Sequence, residues 1–148
     1  MRTVELDTYA PGSSRESVFS AVADTSGYAA HTDTVLNVAV DQVAPGRTRS
    51  AWAVRFRDGV LKYVSEEVAD GDSGEIRFHA IDGDLELFEG VWRISGDGDG
   101  TTINLQATFD SGLGTLSDIV DPIAEQTLRD NFRAVLSGLI GDHLVFSE

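Results

Sequence analysis

The chain has 148 residues, no cysteine, and 25 acidic against 11 basic side chains, a formal net charge of -14 with His neutral. Such a field repels phosphate backbones and anionic lipid surfaces, so no nucleic-acid partner is expected, and the missing thiols exclude disulfides, a cysteine nucleophile and cysteine-bound metal. With imidazole only at His31, His79 and His143 no metal site is expected, and the length fits one domain, residues 1–148, burying roughly 68–70% of its unfolded surface.

The N-terminal "MRTVELDTYA" alternates polar and apolar residues instead of offering the apolar core of a secretory leader. No later stretch approaches the roughly 18 apolar residues of a spanning helix, so a cytoplasmic protein without a membrane span is expected. "TVELDTY" reads as a first strand. "PGSSRESVFSAVAD" then turns into a short helix, with Ser13 and Glu16 in the Ser-x-x-Glu spacing of a capping box ahead of Val18, Phe19 and Val22. A second helical turn is expected over "YAAHTD". Six strand-like runs follow: "TVLNVAVDQV", "TRSAWAVRF", "LKYVSEEV", "EIRFHAI", "LELFEGVWRI" and "TTINLQATF". The connectors "APG", "RDG", "DGDSG", "DGD" and "SGDGDG" are rich in the Gly and Asp that tight hairpins use, which predicts an antiparallel meander. "SGDGDG" is a turn and not a calcium loop, because it lacks the closing glutamate and the alternation of oxygen ligands. Beyond "DSGLG" the period changes. Ala124, Leu128, Phe132, Val135 and Leu139 form an apolar stripe, predicting a helix from about residue 115 to 142 that Pro122 should bend or divide.

These elements make an α+β layout in which a curved antiparallel sheet, seven-stranded with the first strand, buries its inner face on the last helix. A bent sheet around one helix leaves a gap between the layers, the usual place for a small-molecule site. Trp52, Phe56, Phe78, Phe88, Trp92 and Phe109 fall on positions consistent with that interior. In "LKYVSEEV", alternation puts Leu61, Tyr63, Ser65 and Glu67 on one face and Lys62, Val64, Glu66 and Val68 on the other. An inward carboxylate beside a phenol and a hydroxyl is either a reactive group or a structural one, solvated at the cavity mouth or paired with a base such as Arg77. Enclosed by Tyr63, Phe88 and Trp92, Glu67 would suit general acid/base work. Tyr63 and Ser65 would donate hydrogen bonds to a carbonyl or enolate, or simply complete a polar lining. His79 alternates with Phe78 and Ala80 and belongs on the outer face with Arg77. His31 falls near the expected pocket entrance with Tyr28 and Thr32, and His143 has no evident partner.

The element order, with "YAPGSSRESVFSAVADTSGY", "FEGVWRI" and "GLGTLSDIVDPIAEQTLRDNFRAVLSGL", resembles the START-like helix-grip superfamily, within it the branch of polyketide cyclases, aromatases and coenzyme Q-binding proteins. The likeness covers nearly the whole chain, and its marks are Phe88, Gly90 and Trp92 at alternate positions and a Gly-Leu-Gly before a proline-bearing last helix. It implies a helix-grip fold with two short helices after the first strand and a long C-terminal helix. It also implies cofactor-free, aldol-type cyclisation and dehydration of a hydrophobic polyketide-like intermediate, or else non-catalytic carriage of a quinone, lipid or polyketide product. A ribosome-associated module, also known in this superfamily, fits poorly with the acidic charge. By the resemblance, the pocket-facing strand is the Leu61, Tyr63, Ser65, Glu67 side of "LKYVSEEV". Tyr28 matches the aromatic after the first helix, Trp92 the strand tryptophan, and Asn131 the helix asparagine facing the cavity. The candidate catalytic set is Glu67, Tyr63 and Asn131. Tyr28, Thr32, Leu61, Ser65, Phe88 and Trp92 are the candidate substrate contacts. The chain departs from tetracenomycin-type aromatase/cyclases where those place two arginines; Glu67 and Ala80 stand there, which argues against an arginine-based mechanism and an anionic substrate. An acidic acyl carrier protein delivering the substrate would need a local positive patch from Arg47, Arg49, Arg55 and Arg57.

Overall fold

The computed structural model describes residues 2–147. Strand β1 (Arg2–Ala10) leads into helix α1 (Arg15–Ala23), a 3₁₀ turn over Thr25–Gly27 and the single-turn helix α2 (Tyr28–His31). Six strands follow, β2 (Val35–Ala44), β3 (Arg47–Phe56), β4 (Gly59–Asp70), β5 (Glu75–Gly83), β6 (Leu87–Asp97) and β7 (Gly100–Asp110), then helix α3 (Ser117–Ile140) and a short β8 (Val145–Phe146). The spatial order is β2-β3-β4-β5-β6-β7-β1-β8, and every described ladder is antiparallel. The sheet therefore has eight strands where the sequence predicts seven. The extra one pairs through Thr8–Phe146 and Tyr9–Val145 only, too short to carry a period of its own.

Alternation fixes which face meets the helix. Val4, Leu6 and Ala10 of β1, Phe88, Trp92 and Ile94 of β6 and Ile103, Leu105, Ala107 and Phe109 of β7 are buried in one cluster with Ala124, Leu128 and Leu136 of α3. A second cluster, of Tyr28, Val35, Trp52, Val54, Leu61 and Val135, lies toward β2–β4. Between the clusters the sheet and helix separate. In the β6 strand Gly90 is needed for packing: a Cβ there would stand 2.6 Å from the Gln106 carbonyl and 2.7 Å from the Phe78 ring.

Local details depart from the sequence reading at two points, and at a third, Pro122, one of its two alternatives fails. Ser14, not Ser13, caps α1, its side chain accepting from the Ser17 N–H at 3.1 Å, while Ser13 Oγ lies 3.1 Å from His143 Nε2 and so supplies the partner that histidine lacked. Two adjacent serines offer the same chemistry, and the residue that holds the extended cap conformation takes the role. At Arg57-Asp58-Gly59 the positive φ falls on Arg57 (57°) and not on the glycine. Helix α3 runs through Pro122 undivided. The proline stands in the second turn, where it removes only the donor to the Asp118 carbonyl, and Asp118 is exposed to water.

Candidate functional site

The gap between layers is a cavity lined from β2, β3, β4, β5, β6 and α3 and by Val22, Thr25 and Tyr28 of the α1–α2 segment. About 80 Å³ of it is open to the centres of water molecules, several waters' worth at roughly 10–15 Å³ each. Its walls are aromatic. Tyr28 and Trp52 have ring centroids 5.4 Å apart, Trp52 stacks on Tyr63 at 5.9 Å, Tyr63 meets Phe88 edge-on at 5.3 Å, and Phe132 meets Trp92 at 5.7 Å. Such offset and edge-to-face pairs are the favourable geometries for aromatic rings.

One carboxylate enters this lining. Glu67 is only 6% exposed, and no Lys, Arg or His among the described residues lines the cavity with it. Its charge is met by hydroxyls. Thr48 Oγ1 donates to Oε1 at 2.8 Å, Ser50 Oγ donates to Oε1 at 2.6 Å, and Ser65 Oγ donates to Oε2. The indole N–H of Trp52 donates to Ser65 Oγ at 2.9 Å, and Thr25 Oγ1 lies 3.1 Å from Ser50 Oγ. Because an indole N–H can only donate, the Ser65 oxygen must accept from Trp52 and turn its own proton to Glu67. The chain of bonds is thereby polarised toward the carboxylate.

Strand register assembles this cluster. Thr48 pairs with Glu67 and Ser50 with Ser65 across β3 and β4, so the inward residues of "TRSAW" face the inward residues of "SEE". Glu66 points to the other face, where it bonds Arg49 at 3.1 Å and lies 3.7 Å from His79. Arg77, the alternative partner for Glu67, pairs instead with Glu75 at 3.1 Å.

Of the residues singled out in the sequence, Glu67, Tyr63, Asn131, Tyr28, Leu61, Ser65, Phe88 and Trp92 all line the cavity. Thr32 does not. It ends the one-turn α2, where its Oγ1 accepts from the Thr34 N–H at 3.3 Å, and Thr34 takes the place at the lining. Asn131 spends one amide N–H on the Arg55 carbonyl at 2.7 Å, tying α3 to the end of β3. The Tyr28 hydroxyl is also engaged, donating to the Val22 carbonyl at 2.5 Å. The Tyr63 hydroxyl makes no hydrogen bond to another described residue. Burial pushes the phenols of both tyrosines well above the usual range; the charge of Glu67 adds to this at Tyr63, and Tyr63, Glu67 and Asp24 add to it at Tyr28. Both therefore stay protonated and remain donors. Thr25, Thr48 and Ser50 are absent from the sequence reading; alternation puts Thr48, Ser50 and Trp52 on one face of β3, but only the β3–β4 register brings that face to Ser65 and Glu67.

Residues 12–136 match the family described as polyketide cyclase/dehydrase and lipid transport, and the chain belongs to it. Among solved structures, a Thermus thermophilus protein superposes with a TM-score of 0.85 at 23% identity, covering 93% of this chain and 94% of that one. The Zhui aromatase/cyclase of a Streptomyces species gives 0.84 at 19% identity, with 96% and 93% covered. A START superfamily protein of Mycobacterium smegmatis gives 0.77 at 17% identity, with 93% and 96% covered. At these identities the likenesses establish the fold, the helix-grip architecture of START-like proteins. No curated protein sequence matches the chain significantly.

Proposed function

We propose that the protein is a cofactor-free cyclase/dehydratase acting on a hydrophobic polyketide-like intermediate, with Glu67 as the general acid/base. The observation that carries this reading is a buried carboxylate, held by three hydroxyl donors and facing an aromatic cavity without a cation. Glu67 takes a proton from a CH between two carbonyls, and the C–H electron pair passes into an enolate. The Tyr63 hydroxyl, protonated and without a hydrogen-bond partner among the described residues, donates to the enolate oxygen. The enolate carbon attacks a second carbonyl, forming the new C–C bond. The protonated Glu67 returns its proton to the resulting alkoxide, which gives a hydroxyl and restores the carboxylate; Glu67 then takes a second CH proton and passes it to the departing hydroxide, which leaves as water as the C=C bond forms. Asn131, already fixed by its bond to Arg55, has a second amide N–H with which to orient the substrate.

Delivery by an acyl carrier protein would find no compact basic patch. Arg49 pairs with Glu66, Arg55 Nε donates to the Asp33 carbonyl at 3.0 Å, and Arg47 and Arg57 stand at opposite ends of β3. One observation favours the alternative, a non-catalytic carrier: three of the four acceptor positions of Glu67 are filled by the protein itself, as in a purely structural lining. Incubation with a poly-β-ketone and detection of the dehydrated cyclic product by mass spectrometry separates the two. Turnover by the native protein that drops roughly 10²- to 10⁴-fold in Glu67→Gln, with binding retained, supports the enzyme. Binding by both forms with turnover by neither makes the protein a carrier.

A further inference from the structure

The polar inventory of the cavity specifies the head group that it takes. An ionised carboxylate offers about four lone-pair positions and no donor. In Glu67, Oε1 receives two protein hydroxyls and Oε2 receives one, so a single acceptor position, on Oε2, is left for a ligand. The polar neighbours cannot turn a donor away from Glu67 without cost. Ser65 is locked by the Trp52 indole, and Ser50 is held between Glu67 and Thr25. No Lys, Arg or His among the described lining residues would balance a second negative charge, and water is displaced from such a site when it is filled. The rings of Trp52, Tyr63 and Tyr28, stacked or tilted at 5.4–5.9 Å, line the same cavity as Glu67, and aromatic rings tolerate or attract positive charge.

We propose that the cavity selects a ring-bodied ligand that presents a proton, from a hydroxyl, an enol or a protonated amine, to the open position of Glu67 Oε2, and that it rejects carboxylates and heads, such as ethers, with neither a donor nor an enolisable CH. The inference rests on the cavity being the ligand site, and on Glu67 facing the ligand, but not on the cyclisation chemistry. A hydroxyl head is what an aldol step creates and what an aromatised ring carries. The amine is the same donor with a compensating charge.

Isothermal titration calorimetry of the native protein with four molecules of one body and different heads tests this: naphthalenemethanol, its methyl ether, naphthylmethylamine and naphthoate. The alcohol should bind at least about tenfold tighter than the ether, since the ether cannot donate to a charged acceptor. The acid should show no binding at concentrations that saturate the alcohol. An amine tighter than the alcohol assigns the head to a cation, and an alcohol equal to or tighter than the amine assigns it to a neutral hydroxyl. In Glu67→Gln the gap between amine and acid should close. The ranking in the native protein stands by itself if that variant does not fold. An ether as tight as the alcohol, an acid that binds as well, or a variant that keeps the native ranking overturns the proposal. Failure of all four to bind would instead remove the cavity as the ligand site, and with it the proposed function.

Discussion

Ser50 Oγ stands 2.6 Å from Glu67 Oε1, one strand away and completely enclosed. It is the link between the carboxylate and Thr25 of the 3₁₀ turn, so the α1–α2 segment of the cavity wall is joined to the group inside it. Replacing Ser50 with Ala leaves a buried charge short of one donor and Thr25 short of a partner. We expect a loss of about 1–3 kcal/mol in urea unfolding. A variant as stable as the native protein would mean that water replaces the hydroxyl without penalty and that the network is slack.

Phe132 should behave as a wall rather than as a keystone. It touches Phe88 at 6.3 Å and Trp92 at 5.7 Å but is only half-buried, because its other side faces the cavity. Phe132→Ala therefore enlarges an existing space and should cost about 1–3 kcal/mol, below the roughly 3–5 kcal/mol of a fully enclosed phenylalanine. Both tryptophans of the chain, Trp52 and Trp92, line the same space, so intrinsic fluorescence should report the altered cavity. A cost at the upper end of the enclosed range, with emission unchanged, would place the ring in the core proper.

The approach of α2 to α3 depends on Gly138. A Cβ at this position would overlap the His31 carbonyl, which is backbone and cannot swing aside. Gly138→Ala should destabilise by about 1–3 kcal/mol or more and loosen the α1–α2 segment. The control is Gly96→Ala, where a Cβ meets nothing within 4 Å and the change should stay within about 0.5 kcal/mol. Equal thermal midpoints for the two variants would contradict the assignment.

High pH offers a test of the enclosed phenols. Tyr28 and Tyr63 have pKa values raised in the folded protein, chiefly by burial. A raised pKa contributes stability that is fully present below the unfolded value, about 10 for tyrosine. Above that pH the unfolded chain releases protons that the folded chain keeps, so stability falls as pH rises toward the folded values. Tyrosinate absorbance should then show two of the three tyrosines ionising only as the protein unfolds. Ionisation of all three in protein that keeps its native circular dichroism would show that water reaches both phenols.

Much of this arrangement could be read from the sequence because a strand repeats every two residues. The parity of "LKYVSEEV" placed Glu67 and Ser65 inside and Glu66 outside without reference to any other strand. Register across the sheet was not legible in that way. That Thr48 and Ser50 meet Glu67 depends on how β3 and β4 pair, which one strand alone does not determine, and Thr25 arrives from a turn with no period. The apolar stripe of α3 was read correctly at Ala124, Leu128 and Val135, but Leu136, fully buried, lies beside that stripe and was omitted. Thr32 was placed at the pocket from its closeness in sequence to Tyr28. The one-turn helix ends there, and the backbone takes its side chain as a cap.

The most direct test of Glu67 as a proton acceptor isolates the first half of the chemistry. Hydrogen–deuterium exchange at the CH between the carbonyls of an aryl β-ketoester, followed by NMR with and without protein, needs no knowledge of the natural substrate. The native protein should accelerate exchange above the buffer rate, and Glu67→Gln should lose roughly 10²-fold or more of that acceleration while still binding the ester. Exchange at the native rate in a folded, ligand-binding Glu67→Gln variant would contradict the account and leave Glu67 a structural part of the wall.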